Sequence, residues 1–237
     1  MSKKLYFDIE TIPASEESLK SLTYIYEKKK KKFDDEHEED GEEYLTFDEF
    51  FDNTGLDGAY GRILCIGYAL DDRPTGCLCE PDNEKKMLED FWDMAANIDL
   101  FIGHNIMEFD LKFIMQRSII LGVKPSWNKY EEPGKKPWEM GKFLSFARYR
   151  NCPIFDTMCE WNNWGRSTGG SNLEHIALAM GIPTPKEGID GSQVWNFFKA
   201  GKVKEIADYC KRDVETTRAV YKRMVFESAP EPERLPF

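Results

Sequence analysis

The residues best suited to chemistry in this sequence are carboxylates that regular structure would hold close together. In KLYFDIETIP (4–13), Leu5, Tyr6, Phe7 and Ile9 read as a buried strand bounded by Pro13. Strand residues two apart share a face, which puts Asp8 and Glu10 on one side about 7 Å apart. Two carboxylates held that close repel, and burying either one unpaired costs several kcal/mol. They need solvent, a basic partner or a metal ion. Asp110 starts a helical stretch just after the short strand-like FIGHN, where a helix N-terminus favours an anion. In DYCKRDVETT (208–217), Tyr209 and Asp213 are four apart and share one face of a helix.

The elements that must position these side chains follow from apolar spacing. GRILCIGYAL (61–70) is a second strand, and TGCLCE (75–80) a third after a turn at 71–74. DLFIGHN (99–105) and CPIFDTM (152–158) give two more strands. Helical spacing predicts helices over 14–33, 83–98, 109–121, 171–181 and about 202–226. The first three strands are joined too tightly to be all parallel. The expectation is therefore an α/β fold with a central mixed five-stranded sheet flanked by helices. The 237 residues show no internal repeat and no strong linker, which favours one domain over 1–237. Two insertions are expected in it: a charged, mobile segment at 28–43, solvated from 34 on, and a basic, aromatic one at 123–150.

Composition narrows the function classes. No apolar run is long enough to span a membrane, and the N-terminus lacks a secretory h-region, so a cytoplasmic protein is expected. The net charge of −11 argues against a nucleic-acid partner. Leaving out 28–43, with five lysines and eight acids, still leaves −8. A site of four carboxylates accounts for −4 of that, and two divalent cations would neutralise it. The cysteines, at 65, 77, 79, 152, 159 and 210, are scattered. Cys77 and Cys79 form a C-x-C pair with no second pair at zinc-ligand spacing, so no structural zinc site is expected and the thiols read as small apolar residues.

Taken in order, FDIET (7–11), GHNIMEFD (103–110) and YCKRD (209–213) resemble the three motifs of the DnaQ-like (DEDD) exonuclease superfamily. Position 208, where the histidine variant carries His, is Asp, so the resemblance is to the tyrosine (DEDDy) branch. NLEHIALAMGI and VKEIADYCKRDVETTRAVY further resemble stand-alone exonucleases related to the proofreading domain of family B DNA polymerases. The resemblance implies a ribonuclease H-like fold and 3′-to-5′ hydrolysis of single-stranded DNA to nucleoside monophosphates. It also implies that Asp8, Glu10, Asp110 and Asp213 hold two divalent cations, Mg²⁺ or Mn²⁺, with Asp8 bridging. Tyr209 is then the residue that orients the attacking water, and Thr11, Asn105 and Phe109 match positions that contact the 3′ end. Their plainer readings are a turn hydroxyl, a helix cap and a core aromatic.

Residues 124–150 carry seven basic and three acidic side chains, a local balance of +4, interleaved with Trp127, Tyr130, Trp138, Phe143, Phe146 and Tyr149. Phosphate neutralisation plus base stacking is how sequence-tolerant single-strand binders work, so this segment is a candidate grip on the strand; a surface insertion with inward aromatics is the other reading. Asp156 either caps the helix after its strand or shapes the acidic site. The competing functions are an RNA exonuclease of the same mechanism and a nucleic-acid-binding module that has lost activity. Against the latter, all four acids and the tyrosine are present.

Overall fold

A computed structural model describes residues 3–37, 42–125, 153–165, 171–184 and 189–227. Its sheet is organised about β1 (Lys4–Ile12). Leu5, Phe7 and Ile9 enter one core, while Tyr6 and Ile12 enter cores on the opposite face. The pleat therefore places Asp8 and Glu10 on that second face, between Tyr6 and Ile12. β2 (Arg62–Leu70) pairs antiparallel with β1, and β3 (Gly76–Leu78) antiparallel with β2. β4 (Leu100–Gly103) lies parallel on the other side of β1, followed by the parallel β5 (Ile154–Asp156). The order β3-β2-β1-β4-β5 is the expected mixed five-stranded α/β sheet with β1 at its middle.

Eight α-helices are described: α1 (Leu19–Glu36), α2 (Phe47–Asn53), α3 (Glu84–Ala95), α4 (Asp110–Leu121), α5 (Thr157–Trp161), α6 (Leu173–Ala179), α7 (Val194–Lys199) and α8 (Val203–Met224). α3 presents Met87, Leu88, Phe91, Trp92 and Ala95 to the Leu5–Phe7–Ile9 face, with Leu111, Phe113 and Ile114 of α4 beside them. Burying each large apolar side chain there stabilises the fold by roughly 1.5–3 kcal/mol. The two helices are also joined by a buried ion pair. Arg117 donates from Nε and Nη2 to Glu84 at 2.8 and 2.7 Å, and Glu84 Oε1 accepts the Ile63 N–H at 2.8 Å. On the opposite face lies α8, with α6 and α7 against it.

The sequence expectations need adjustment at the edges. α1 does not stop at 33 but continues into the acidic block to Glu36, helped by the i,i+4 pair Lys32–Glu36 at 3.6 Å, so the lysine run is helical. α2 and α7, seven and six residues long, are too short for apolar periodicity to announce, although Thr46 and Glu49 form a capping box before α2. The candidate grip lies outside the described residues from 126 on, as do Cys152, residues 38–41 and 166–170. Among the described residues no helix is long and apolar enough to cross a membrane.

Candidate active site

The site forms where β1 outruns its parallel neighbour. The β1–β4 ladder stops at Tyr6↔Ile102, and Ile9, beyond it, donates its N–H to Asp110 Oδ1 at 2.9 Å. That bond holds the first residue of α4 against the stretch of β1 between Asp8 and Glu10. It also explains an acid at this position, since a carboxylate satisfies a buried strand N–H left without a ladder partner.

From the other side α8 closes on the same stretch. Cys210 Sγ lies 3.4 Å from both Asp8 Oδ2 and the Asp8 carbonyl oxygen, and accepts the Gly67 N–H at 3.1 Å. Gly67 is the β2 partner of Asp8, and a Cβ there would stand 2.9 Å from that sulfur. Glycine is what lets the helix come this near. One residue before Cys210 and three after it, Tyr209 and Asp213 lie a helical turn apart on one face of α8, each shifting the other's proton affinity.

The fold thus brings Asp8, Glu10, Asp110 and Asp213 near enough for their charges to act on one another. Burial, then the charges of Asp110, Glu10 and Asp213, push the Asp8 carboxyl well above its ordinary value. Glu10 is raised in the same way, by burial and then by Asp213 and Asp110. Burial raises Asp110 to about 7 against the hydrogen bond from Ile9, with Asp156 and Asp213 adding to the rise. Asp213 is raised to about 6 by burial, while Tyr209 and Arg212 offset part of that. Burial and the adjacent acids hold the Tyr209 phenol protonated far above neutrality.

This donor set fits divalent cations. Its oxygens come from rigid elements, and their mutual repulsion is what a hard cation relieves. Ligand atoms of Asp8, Glu10 and Cys210 already lie within 4.8 Å of one another.

The remaining candidates flank these acids. Asn105 takes a left-handed backbone conformation, φ 59°, in the turn between β4 and α4. Its N–H donates to Asp156 Oδ1 at 2.9 Å, and that of Met107 to Oδ2 at 3.1 Å. Asp156 also caps α5 through the N–H groups of Met158 and Cys159. Its two sequence readings therefore coexist: one fully buried carboxylate caps a helix and shapes the turn leading to Asp110. Thr11 lies within β1 rather than in a turn, and its hydroxyl donates to the Gly55 carbonyl, 44 residues away, at 2.6 Å. Phe109 packs partly buried on the α3/α4 core, its ring 5.7 Å from that of Phe113. His104 pairs with the Thr157 hydroxyl at 2.9 Å, and burial lowers its pKa.

Sequence reasoning passed over Cys210 as a site residue. Its signal was its place within YCKRD, since α8 must bury a side chain between Tyr209 and Asp213 where it crosses β1.

Comparison with known proteins bears on this arrangement. The family B DNA polymerase from the hyperthermophilic archaeon Pyrobaculum calidifontis matches with a TM-score of 0.57 at 14% identity, over 95% of this chain and 25% of the polymerase. This likeness shows the fold, a ribonuclease H-like exonuclease fold, and the chain spans about a quarter of the polymerase's length. Among curated proteins no match is found. Residues 76–230 match the family described as a predicted 3′-5′ exonuclease related to the exonuclease domain of PolB. The matched range holds Asp110, Tyr209 and Asp213, and the sheet adds Asp8 and Glu10 from β1 outside it. With more than half its length matched, the chain belongs to this family of predicted 3′-5′ exonucleases related to the exonuclease domain of PolB.

Proposed function

We propose that the chain is a metal-dependent exonuclease that removes nucleoside monophosphates from the 3′ end of single-stranded DNA. The observation that carries this reading is the convergence of four carboxylates: the charges of Asp110, Glu10 and Asp213 all raise the proton affinity of Asp8, and those of Asp213 and Asp110 raise that of Glu10. Asp8, Glu10, Asp110 and Asp213 would hold two ions, Mg²⁺ or Mn²⁺, with Asp8 shared between them. When bound, such ions supply hydroxide at neutral pH and stabilise charge on the attacking and leaving oxygens.

The protein's own part is positioning. The Asp110 bond to Ile9 fixes α4 on β1, and the close pass of α8 at Gly67 sets Tyr209 and Asp213 opposite the β1 acids. A phenol kept protonated is a poor base, so Tyr209 orients the attacking water by hydrogen bonding. Thr11, Asn105 and Phe109 border the acids and are assigned to the 3′-terminal nucleotide, with Asp156 holding the Asn105 turn in shape.

A 5′-labelled single-stranded oligonucleotide tests this directly. Mg²⁺ or Mn²⁺ should yield a descending ladder with mononucleotide product, and EDTA or Asp8→Ala should abolish it. An oligonucleotide left intact under both metals sinks the reading. Matched DNA and RNA strands run in parallel decide the sugar, and faster RNA degradation would move the assignment to an RNA exonuclease.

A further inference from the structure

Helix α1 is a basic exception in an acidic chain. Residues 20–33 carry six lysines and one acid, Glu27, a balance of +5, where the whole chain stands at −11. Lys28 to Lys32 follow one another, so Lys28 has Lys31 and Lys32, and Lys29 has Lys32, one helical turn away. Like charges at this spacing repel and work against the helix. The opposite side of α1 holds it in place: Leu22, Ile25 and Tyr26 pack with Phe47, Phe50 and Phe51 of α2. Lys29 lies over the Phe50 ring at 5.5 Å, and Lys32 pairs with Glu36. Lys28, Lys30 and Lys31 are exposed and, among the described residues, make no ion pair, although Asp34 and Asp35 stand one turn beyond the latter two. Tyr24 shares their outward face, one turn after Lys20 and one before Lys28, and is 67% exposed. The α1–α2 pair is fastened to the end of β1 beyond Glu10. Thr11 donates to the Gly55 carbonyl at 2.6 Å, and the Ala14 N–H to Thr54 Oγ1 at 2.9 Å.

From this face we infer that Lys28, Lys30 and Lys31, with Tyr24, dock the backbone of the single-stranded nucleic acid upstream of its 3′ end. The inference rests on the exonuclease reading for its choice of polyanion. A phosphate backbone relieves the repulsion within the lysine run, and each ammonium that meets a phosphate releases counterions. Lysines are point charges on flexible stems, suited to following a backbone without reading bases. Tyr24 adds a stacking platform that accepts any base. Such a surface tolerates every sequence, as an enzyme that shortens a strand one nucleotide at a time requires. The three lysines lie about 14–18 Å along α1 from its first residue, so they engage nucleotides behind the terminal one, which is assigned to Thr11, Asn105 and Phe109.

The test is fluorescence anisotropy of a 5′-labelled single-stranded DNA across a range of salt, with EDTA present to prevent cleavage. Lys28→Gln/Lys30→Gln/Lys31→Gln should weaken binding about tenfold at low salt and reduce the slope of log affinity against log salt by about 2, since each phosphate contact on a single strand contributes about 0.7. Tyr24→Ala should weaken binding several-fold with the slope unchanged, because stacking releases no counterions. Lys3→Gln/Lys85→Gln/Lys86→Gln removes the same charge from exposed positions elsewhere and should leave the slope as it was. Glutamine matches lysine in helix propensity, and circular dichroism confirms that the variants are folded. An unchanged slope in the α1 triple variant overturns the proposal, as does an equal fall in the control variant or a wild type that binds no strand. Polyglutamate that displaces the strand as well as unlabelled DNA does makes the face a site for acidic protein and also overturns it. Cleavage by the wild type with Mg²⁺ alongside an unchanged slope sinks the helix assignment alone. Binding that depends on the three lysines, with no cleavage under either metal, sinks the nuclease reading alone.

Discussion

Replacing Asp110 by Asn tests whether burial, with the neighbouring acids, raises this carboxyl as the fold requires. Asp110 is raised from an ordinary 3.8 to about 7, by burial first. A group with a raised folded-state pKa contributes stability that is complete below its unfolded value and is lost as pH rises through the folded one. At pH 8 both states are ionised, and the difference opposes folding by about 4 kcal/mol. At pH 5 proton uptake by the folded carboxyl recovers about 3 kcal/mol of this. Asparagine keeps an Oδ1 to accept the Ile9 N–H but carries no charge and does not titrate. Urea unfolding of both EDTA-treated proteins should therefore show the wild type losing about 3 kcal/mol more than Asp110→Asn between pH 5 and pH 8. The variant should be the more stable protein at pH 8. Adding Mn²⁺ at pH 8 should stabilise the wild type by mass action and the variant less. Equal pH dependence in the two proteins, or a wild type that gains stability as pH rises through this window, would refute the reasoning.

Three further substitutions probe the framework. Arg117→Ala leaves Glu84 buried without its bidentate partner and should cost about 3–5 kcal/mol in urea unfolding; a loss under 1 kcal/mol would mean that Glu84 finds water instead. Gly67→Ala puts a Cβ 2.9 Å from Cys210 Sγ and 3.0 Å from the Cys210 carbonyl oxygen, backbone that cannot swing aside. It should cost about 1–3 kcal/mol and, by pushing α8 outward, reduce nuclease turnover more than oligonucleotide binding. Asp156→Ala removes the acceptor for four backbone N–H groups, those of Asn105, Met107, Met158 and Cys159. Thermal unfolding should register a loss of about 2–4 kcal/mol, since unsatisfied buried donors cost about 1–3 kcal/mol each and water can reach some of them.

The acids were legible in the sequence because each is tied to a local rule. The pleat alone puts Asp8 and Glu10 together, a helix start accounts for Asp110, and four-residue spacing joins Tyr209 to Asp213. The thiols show the limit of the same reasoning. Cys77 comes opposite Gly67 through strand register and Cys210 packs with Cys65 through helix docking, and neither is encoded by residue spacing. Asp156 was readable as a cap, since capping is local, but its hold on the Asn105 turn depends on β5 lying parallel to β4, a pairing between segments about fifty residues apart. Gly67 gave no signal as part of a site, because its contribution is space for a helix that arrives 143 residues later. What local rules determine in this chain is which side chains can do chemistry. What long-range packing adds is the distance between them, and that distance turns four tolerable acids into a crevice whose charges call for a cation.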